Sequence, residues 1–98
     1  MNKIVTILEA RVSEQKWGAL RKAYQAVKEK QPPPMPLQSL LVQQMKEDPK
    51  LWRIITVWDS MEVLQKMKSS GETPAGVLIF READADPTLS IFETKEEI

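Results

Sequence analysis

This 98-residue chain predicts an α+β sandwich built from split βαβ units. Three observations carry that expectation. β-branched apolar runs recur through the chain, amphipathic helical stretches follow the first and third of them, and the middle two are joined by a turn too short for a helix. The reading along the chain is strand, helix, strand, strand, helix, a short additional helix, strand.

The first element is Ile4-Val5-Thr6-Ile7-Leu8-Glu9-Ala10-Arg11-Val12, apolar and β-branched with no breaker, hence a strand. Ser13 is placed to cap a helix running from Glu14 to about Lys30. In it Trp17, Leu20, Tyr24 and Val27 recur at three- and four-residue spacing, with Ala19, Ala23 and Ala26 beside them and charged or amide residues opposite. Gln31-Pro32-Pro33-Pro34-Met35-Pro36 ends the helix, because proline cannot donate into it and drives the preceding residue into extended geometry. The run reads as a stiff polyproline-like connector, with a recognition ligand as the sharper alternative.

Leu37 to Met45 reads as a second strand, 46–50 as a turn and Leu51 to Trp58 as a third strand, so the pair forms an antiparallel hairpin. A helix follows directly, with Asp59 or Ser60 as N-cap and Glu62 reaching back as in a capping box. Met61, Val63, Leu64 and Met67 form its apolar side, Glu62 stands four residues before Lys66, and Ser69-Ser70-Gly71 ends it. Over about 74–83 the Thr73-Pro74 start predicts a short helix, against the strand-like run Val77-Leu78-Ile79-Phe80. Residues 83–87 break it, Thr88 to Thr94 is the last strand, and 95–98 is a charged tail that frays.

This order gives a ferredoxin-like sheet of strand order 4-1-3-2 in a single domain spanning 1–98. The first and third strands are near-continuous apolar runs, as central parallel neighbours are, while the second and fourth mix in Gln43, Gln44, Ser90, Glu93 and Thr94, as edges do. Right-handed crossovers place both helices on one face of the sheet. Apolar residues nonetheless occupy both faces of the central strands: Ile4, Leu8, Val12 and Ile54 on one, Val5, Ile7, Ile55 and Val57 on the other. Leaving one set in water costs about 1.5–3 kcal/mol for each large side chain, so a second copy packing sheet against sheet is expected.

Composition narrows the chemistry. Basic and acidic residues both number 14, giving neither a basic face for nucleic acid nor a long charged block. No apolar run approaches the roughly 20 residues of a membrane span and no signal-peptide pattern opens the chain, so a cytoplasmic location is the expectation. With no cysteine and no histidine, the chain lacks thiolate nucleophiles, sulfur ligands and the commonest metal ligand and general base, and neither a metal nor any other cofactor is expected.

The passage Val57-Trp58-Asp59-Ser60-Met61-Glu62 resembles the strand-Trp-x-Ser-x-Glu passage of antibiotic-biosynthesis-monooxygenase (ABM) domains, and Pro87-Thr88-Leu89-Ser90-Ile91-Phe92-Glu93 resembles their concluding strand. The resemblance extends from Ile4 to Glu93 and implies a dimeric α+β barrel. ABM-like proteins include cofactor-independent monooxygenases of aromatic polyketides and haem-degrading enzymes. The haem-degrading branch requires a histidine, a tryptophan where this chain has Met67 and an asparagine where it has Glu9-Ala10, so haem chemistry is not implied. The polyketide branch holds its substrate with tryptophan, tyrosine, asparagine and arginine, and Trp17, Tyr24, Trp52, Trp58 and Arg53 are of suitable type.

The substrate-binding candidates are therefore Trp17, Tyr24, Arg53, Trp58 and Glu9, each with a structural alternative. Trp17, Tyr24 and Trp58 suit core packing as well as ligand stacking. Arg53 interrupts an apolar central strand and either reaches solvent or a carboxylate, or anchors an anion such as a substrate phenolate. Glu9 is a base if buried and an ion-pair or rim residue if not. Two functions are expected of this pattern: a cofactor-free monooxygenase acting on a small aromatic molecule in a sheet-helix pocket, or a non-catalytic homodimer of the same fold that binds a small ligand or serves assembly.

Overall fold

Period-two alternation in the central strands decides what enters the core. The computed structural model describes residues 2–30, 35–69 and 74–97. Strands β1 (Ile4–Arg11), β2 (Gln38–Gln43), β3 (Leu51–Trp58) and β4 (Thr88–Glu93) form one sheet in the order β2-β3-β1-β4, the expected 4-1-3-2 read from its other edge. Helices α1 (Trp17–Lys30), α2 (Met61–Ser69) and α3 (Ala75–Glu82) complete the α+β chain. In β1 the buried positions are Ile4, Thr6 and Ala10, and in β3 they are Trp52, Ile54 and Trp58. These even-numbered residues lie opposite one another in register, Ile4 to Trp58 and Ala10 to Trp52, under the helices.

The sheet is antiparallel throughout, which corrects the expectation that β1 and β3 run parallel. The right-handed crossover through α1 sets β2 parallel to β1 with one strand's space between them, and the tight β2–β3 connection then brings β3 back through that space. Continuous apolarity reports burial of two faces and is silent on direction.

The core is two patches. One joins Ala10, Val12, Leu20, Trp52, Ile54, Ile79, Phe80, Ala83 and Ala85, with α1 and α3 lying over β1 and β3. The other joins Ile4, Trp58 and Leu64 beneath α2. Glycine at position 76 lets α3 pass close over the Leu8 side chain, whose methyl a Cβ there would have to displace.

Helix ends differ from the expectations in detail. Residues Glu14–Lys16 form a 3-10 turn and α1 begins at Trp17; Ser13 contributes its carbonyl, 2.8 Å from the Lys16 amide, and no side-chain cap. The cap of α2 is Ser60, whose Oγ accepts the Val63 amide at 3.4 Å. Glu62 then falls one position short of a capping box. Leu64 is buried and Val63 half-buried, whereas Met61 is exposed. The 74–83 segment is helix, as expected: the Pro74 carbonyl accepts the Val77 and Leu78 amides. Its end is a Schellman motif, Ala85 N to Phe80 O and Asp84 N to Arg81 O, both 3.0 Å, with Asp84 at φ 56°. The Pro32-Pro33-Pro34 connector, the Ser70-Gly71 stop and the Met67 side chain fall outside the described residues. No helix among the described residues is long and apolar enough to cross a membrane.

Leu20, with no exposed surface, should lose about 2–5 kcal/mol of stability as Leu20→Ala, while Leu78→Ala, at a residue 48% exposed, should lose under about 1 kcal/mol. Urea unfolding of the two variants measures the difference, and equal losses would contradict the packing described.

Candidate functional site

A cavity of about 170 Å³ lies between the helix-facing side of the sheet and the helices. Its sheet wall carries Thr6 and Leu8 of β1, Ser39 of β2, Ile54, Thr56 and Trp58 of β3, and Leu89 of β4. Tyr24, Val27 and Lys28 of α1, Leu64 of α2 and Ala75, Gly76, Val77 and Ile79 of α3 face them. The wall is mainly apolar, so its few polar groups decide what it can recognise.

Those groups form a line. Ser39, Thr56 and Thr6 are successive register partners across β2, β3 and β1, which sets three hydroxyls in a row across the cavity floor. At one end the Tyr24 hydroxyl donates to Ser39 Oγ at 3.0 Å. At the other the Trp58 indole N–H donates to Thr6 Oγ1 at 3.0 Å. An indole N–H can only donate, so Thr6 Oγ1 is an acceptor in that bond and its own proton is free for another partner. Tyr24 and Ser39 are both hydroxyls, and their bond uses one of the pair's two protons and leaves the other for a further partner. Thr56 has no side-chain partner among the described residues, and neither has Lys28, which is exposed one turn beyond Tyr24 on α1.

Of the residues singled out in the sequence, Tyr24 and Trp58 line this cavity and the others do not. Trp17 packs edge-on against Trp52, ring centroids 5.9 Å apart at 61°, and its Nε1 donates to the Val12 carbonyl at 2.9 Å. It belongs to the core patch away from the cavity. Trp52 is buried beside it with Nε1 lacking a partner among the described residues. Glu9 and Arg53 are paired in register and ion-paired on the opposite face of the sheet, both partly exposed. Arg53 therefore cannot steady a phenolate inside the cavity of its own subunit: odd positions of β3 point away from the helices. The sequence reading passed over Thr6, Ser39, Thr56 and Lys28. Threonine amid Ile4 and Leu8, and again between Ile54 and Trp58, was the available signal, a hydroxyl on the buried parity of a strand.

Neither a family profile nor any curated protein matches the chain by sequence. Solved structures do match it. A protein of Deinococcus radiodurans provisionally assigned as an antibiotic biosynthesis monooxygenase superposes with a TM-score of 0.67 at 16% identity, over 97% of this chain and 95% of its own. The fold is that of ABM-like proteins. The same ABM-like architecture appears in SnoaB, a cofactor-independent oxygenase of Streptomyces nogalater, with a TM-score of 0.65 at 9% identity over 100% of this chain and 98% of that one. A dimeric ferredoxin-like protein from an uncultured marine organism matches with a TM-score of 0.68 at 12% identity over the full length of both chains.

Because Thr6 satisfies a buried indole, Thr6→Val should destabilise the protein by about 1–3 kcal/mol although the two side chains have nearly the same shape. Thr56→Val, which breaks no side-chain bond among the described residues, should change stability by under about 0.5 kcal/mol. Thermal denaturation distinguishes them, and a Thr6→Val protein as stable as the parent would overturn the hydroxyl assignment.

Proposed function

We propose that the chain acts as a homodimer that holds a small aromatic molecule in the sheet-helix cavity and oxidises it with dioxygen, the substrate supplying the electrons. The observation that carries this reading is the cavity: apolar walls, an aromatic residue at each end of a hydroxyl row, and two hydroxyl protons free to donate. Such donors stabilise the oxyanion of a deprotonated phenol in a site of low dielectric. Positioning by Tyr24 and Trp58 contributes by holding the electron-rich ring where oxygen reaches it. For a hydroquinone the balance is complete with oxygen alone: one ring C–H becomes C–OH as the ring is oxidised to a hydroxyquinone, and the second oxygen atom leaves as water with the two hydrogens the ring has lost. The likeness of fold to SnoaB supports the reaction class, and the chain's lack of histidine and cysteine is consistent with a cofactor-free reaction.

A second reading, a non-catalytic ligand-binding dimer, is favoured by one feature. Among the described residues the cavity wall holds no carboxylate to serve as a base. Oxygen uptake separates the two readings. With a panel of one-ring hydroquinones and related phenols, a rate above the uncatalysed background supports oxidation, and a background rate throughout returns the protein to ligand binding alone.

The dimer is supported by the helix-free face of the sheet, where Val5, Ile7, Ile55 and Val57 are half-buried and Leu40, Val42 and Phe92 are exposed. These residues adjoin across all four strands, a contiguous apolar surface of the kind that marks an interface. Light scattering at micromolar concentration should return twice the 11.2 kDa chain mass. Ile55→Asp should return the chain mass or an unfolded protein, and a parent protein that is monomeric and folded would contradict the assembly.

A further inference from the structure

We infer that the cavity is selective for a one-ring hydroquinone bearing a carboxylate, a dihydroxybenzoate, with its phenolic oxygen on the Thr6-Thr56-Ser39 row and its carboxylate at Lys28. The inference rests on the reading that an aromatic molecule occupies this cavity, and deepens it by naming the class.

Size comes first. An enclosed apolar cavity of about 150 Å³ accommodates a single benzene ring, whereas sites for larger ligands run to roughly 300–1,000 Å³. At about 170 Å³ this cavity covers one ring, and three fused rings would project past it into solvent where Lys28 and Leu89 are exposed. Gly76 of α3 faces the Leu8 side chain across this space, and a Cβ there would require the Leu8 methyl to move aside.

Hydrogen-bond polarity comes next. The Trp58 indole fills an acceptor position on Thr6, which keeps its proton to give, and the Tyr24–Ser39 pair keeps one of its two hydroxyl protons for a further acceptor. The floor accordingly presents donors and calls for oxygen acceptors on the ligand, which phenol, phenolate and quinone oxygens are and hydrocarbon edges are not.

Charge sets the remaining end. Lys28 is the charged residue of the cavity wall among the described residues, no carboxylate shares that wall, and no ion-pair partner holds the Lys28 ammonium among the described residues. Its place on α1, one turn past Tyr24 and exposed, puts a cation in the cavity wall on the Tyr24 side. A ring with oxygens at one end and an anion at the other satisfies both.

Isothermal titration calorimetry on the intact protein with hydroquinone, 2,5-dihydroxybenzoate and dithranol, a three-ring anthrone, tests this. The acid should bind about two- to fivefold more tightly than hydroquinone, the range expected of one solvent-exposed ion pair, and dithranol should not bind. Lys28→Gln, at an exposed position, should remove the preference for the acid and leave hydroquinone affinity unchanged. Thr56→Val should weaken both one-ring ligands roughly threefold or more. Equal affinity for the acid and hydroquinone, or a preference that survives Lys28→Gln, overturns the assignment of Lys28. Binding of dithranol in place of the one-ring compounds overturns the size argument while leaving an aromatic-binding cavity in place. Failure of all three to bind removes both the inference and the reading beneath it.

Discussion

The structure depends on the two-residue alternation of β1 and β3. These strands are apolar on both parities, yet three helices can cover only one side of a four-stranded sheet. The even parity, from Ile4 to Ala10 and from Trp52 to Trp58, is placed beneath the helices and forms the core. The odd parity is thereby committed to the other face, at a cost of about 1.5–3 kcal/mol for each large side chain fully in water. A one-residue slip would exchange the two sets, so the register of the central pair decides the identity of the core and of the open face together.

The cavity follows from the same alternation. Thr6 and Thr56 stand at buried-parity positions where their strands otherwise place isoleucine, leucine or tryptophan, and register sets them side by side with Ser39. Their smaller volume leaves space, and their hydroxyls are held by partners that themselves belong to the wall, Trp58 and Tyr24. At the other end of the sheet that volume is filled by Trp17 of α1 packing edge-on against Trp52. Gly76 lets α3 pass close to Leu8 at the edge of what remains. The site is a local shortage of side-chain volume, and the polar atoms in it are the ones the fold already has to satisfy.

Much of this was legible in the sequence where local chemistry and tertiary environment agree. β3 has the bounds expected of it, Leu51–Trp58, because a turn and a helix cap flank it. The choice of helix over strand for Ala75–Glu82 follows the Thr-Pro start, and burial of Ile79 and Phe80 completes it. Strand direction was not legible, since two buried faces look alike in parallel and antiparallel sheets. Glu9 and Arg53 drew attention as charges within apolar strands, yet their odd parity already placed them on the face opposite Thr6 and Thr56. Lys28 stands four residues past Tyr24, at the flank of the apolar stripe of α1, but a lysine at the edge of such a stripe reads as solvated surface, and only the assembled sheet makes it part of a wall.

The central claim is that one face of this sheet encloses a ligand cavity while the other joins a second copy. Isotope-filtered nuclear Overhauser spectroscopy on a mixture of labelled and unlabelled chains examines the second half directly and locates it. The account predicts intermolecular contacts among the methyl groups of Val5, Ile7, Ile55 and Val57. Absence of such contacts, or contacts running instead to the helix surface at Ala26 and Leu78, would contradict it.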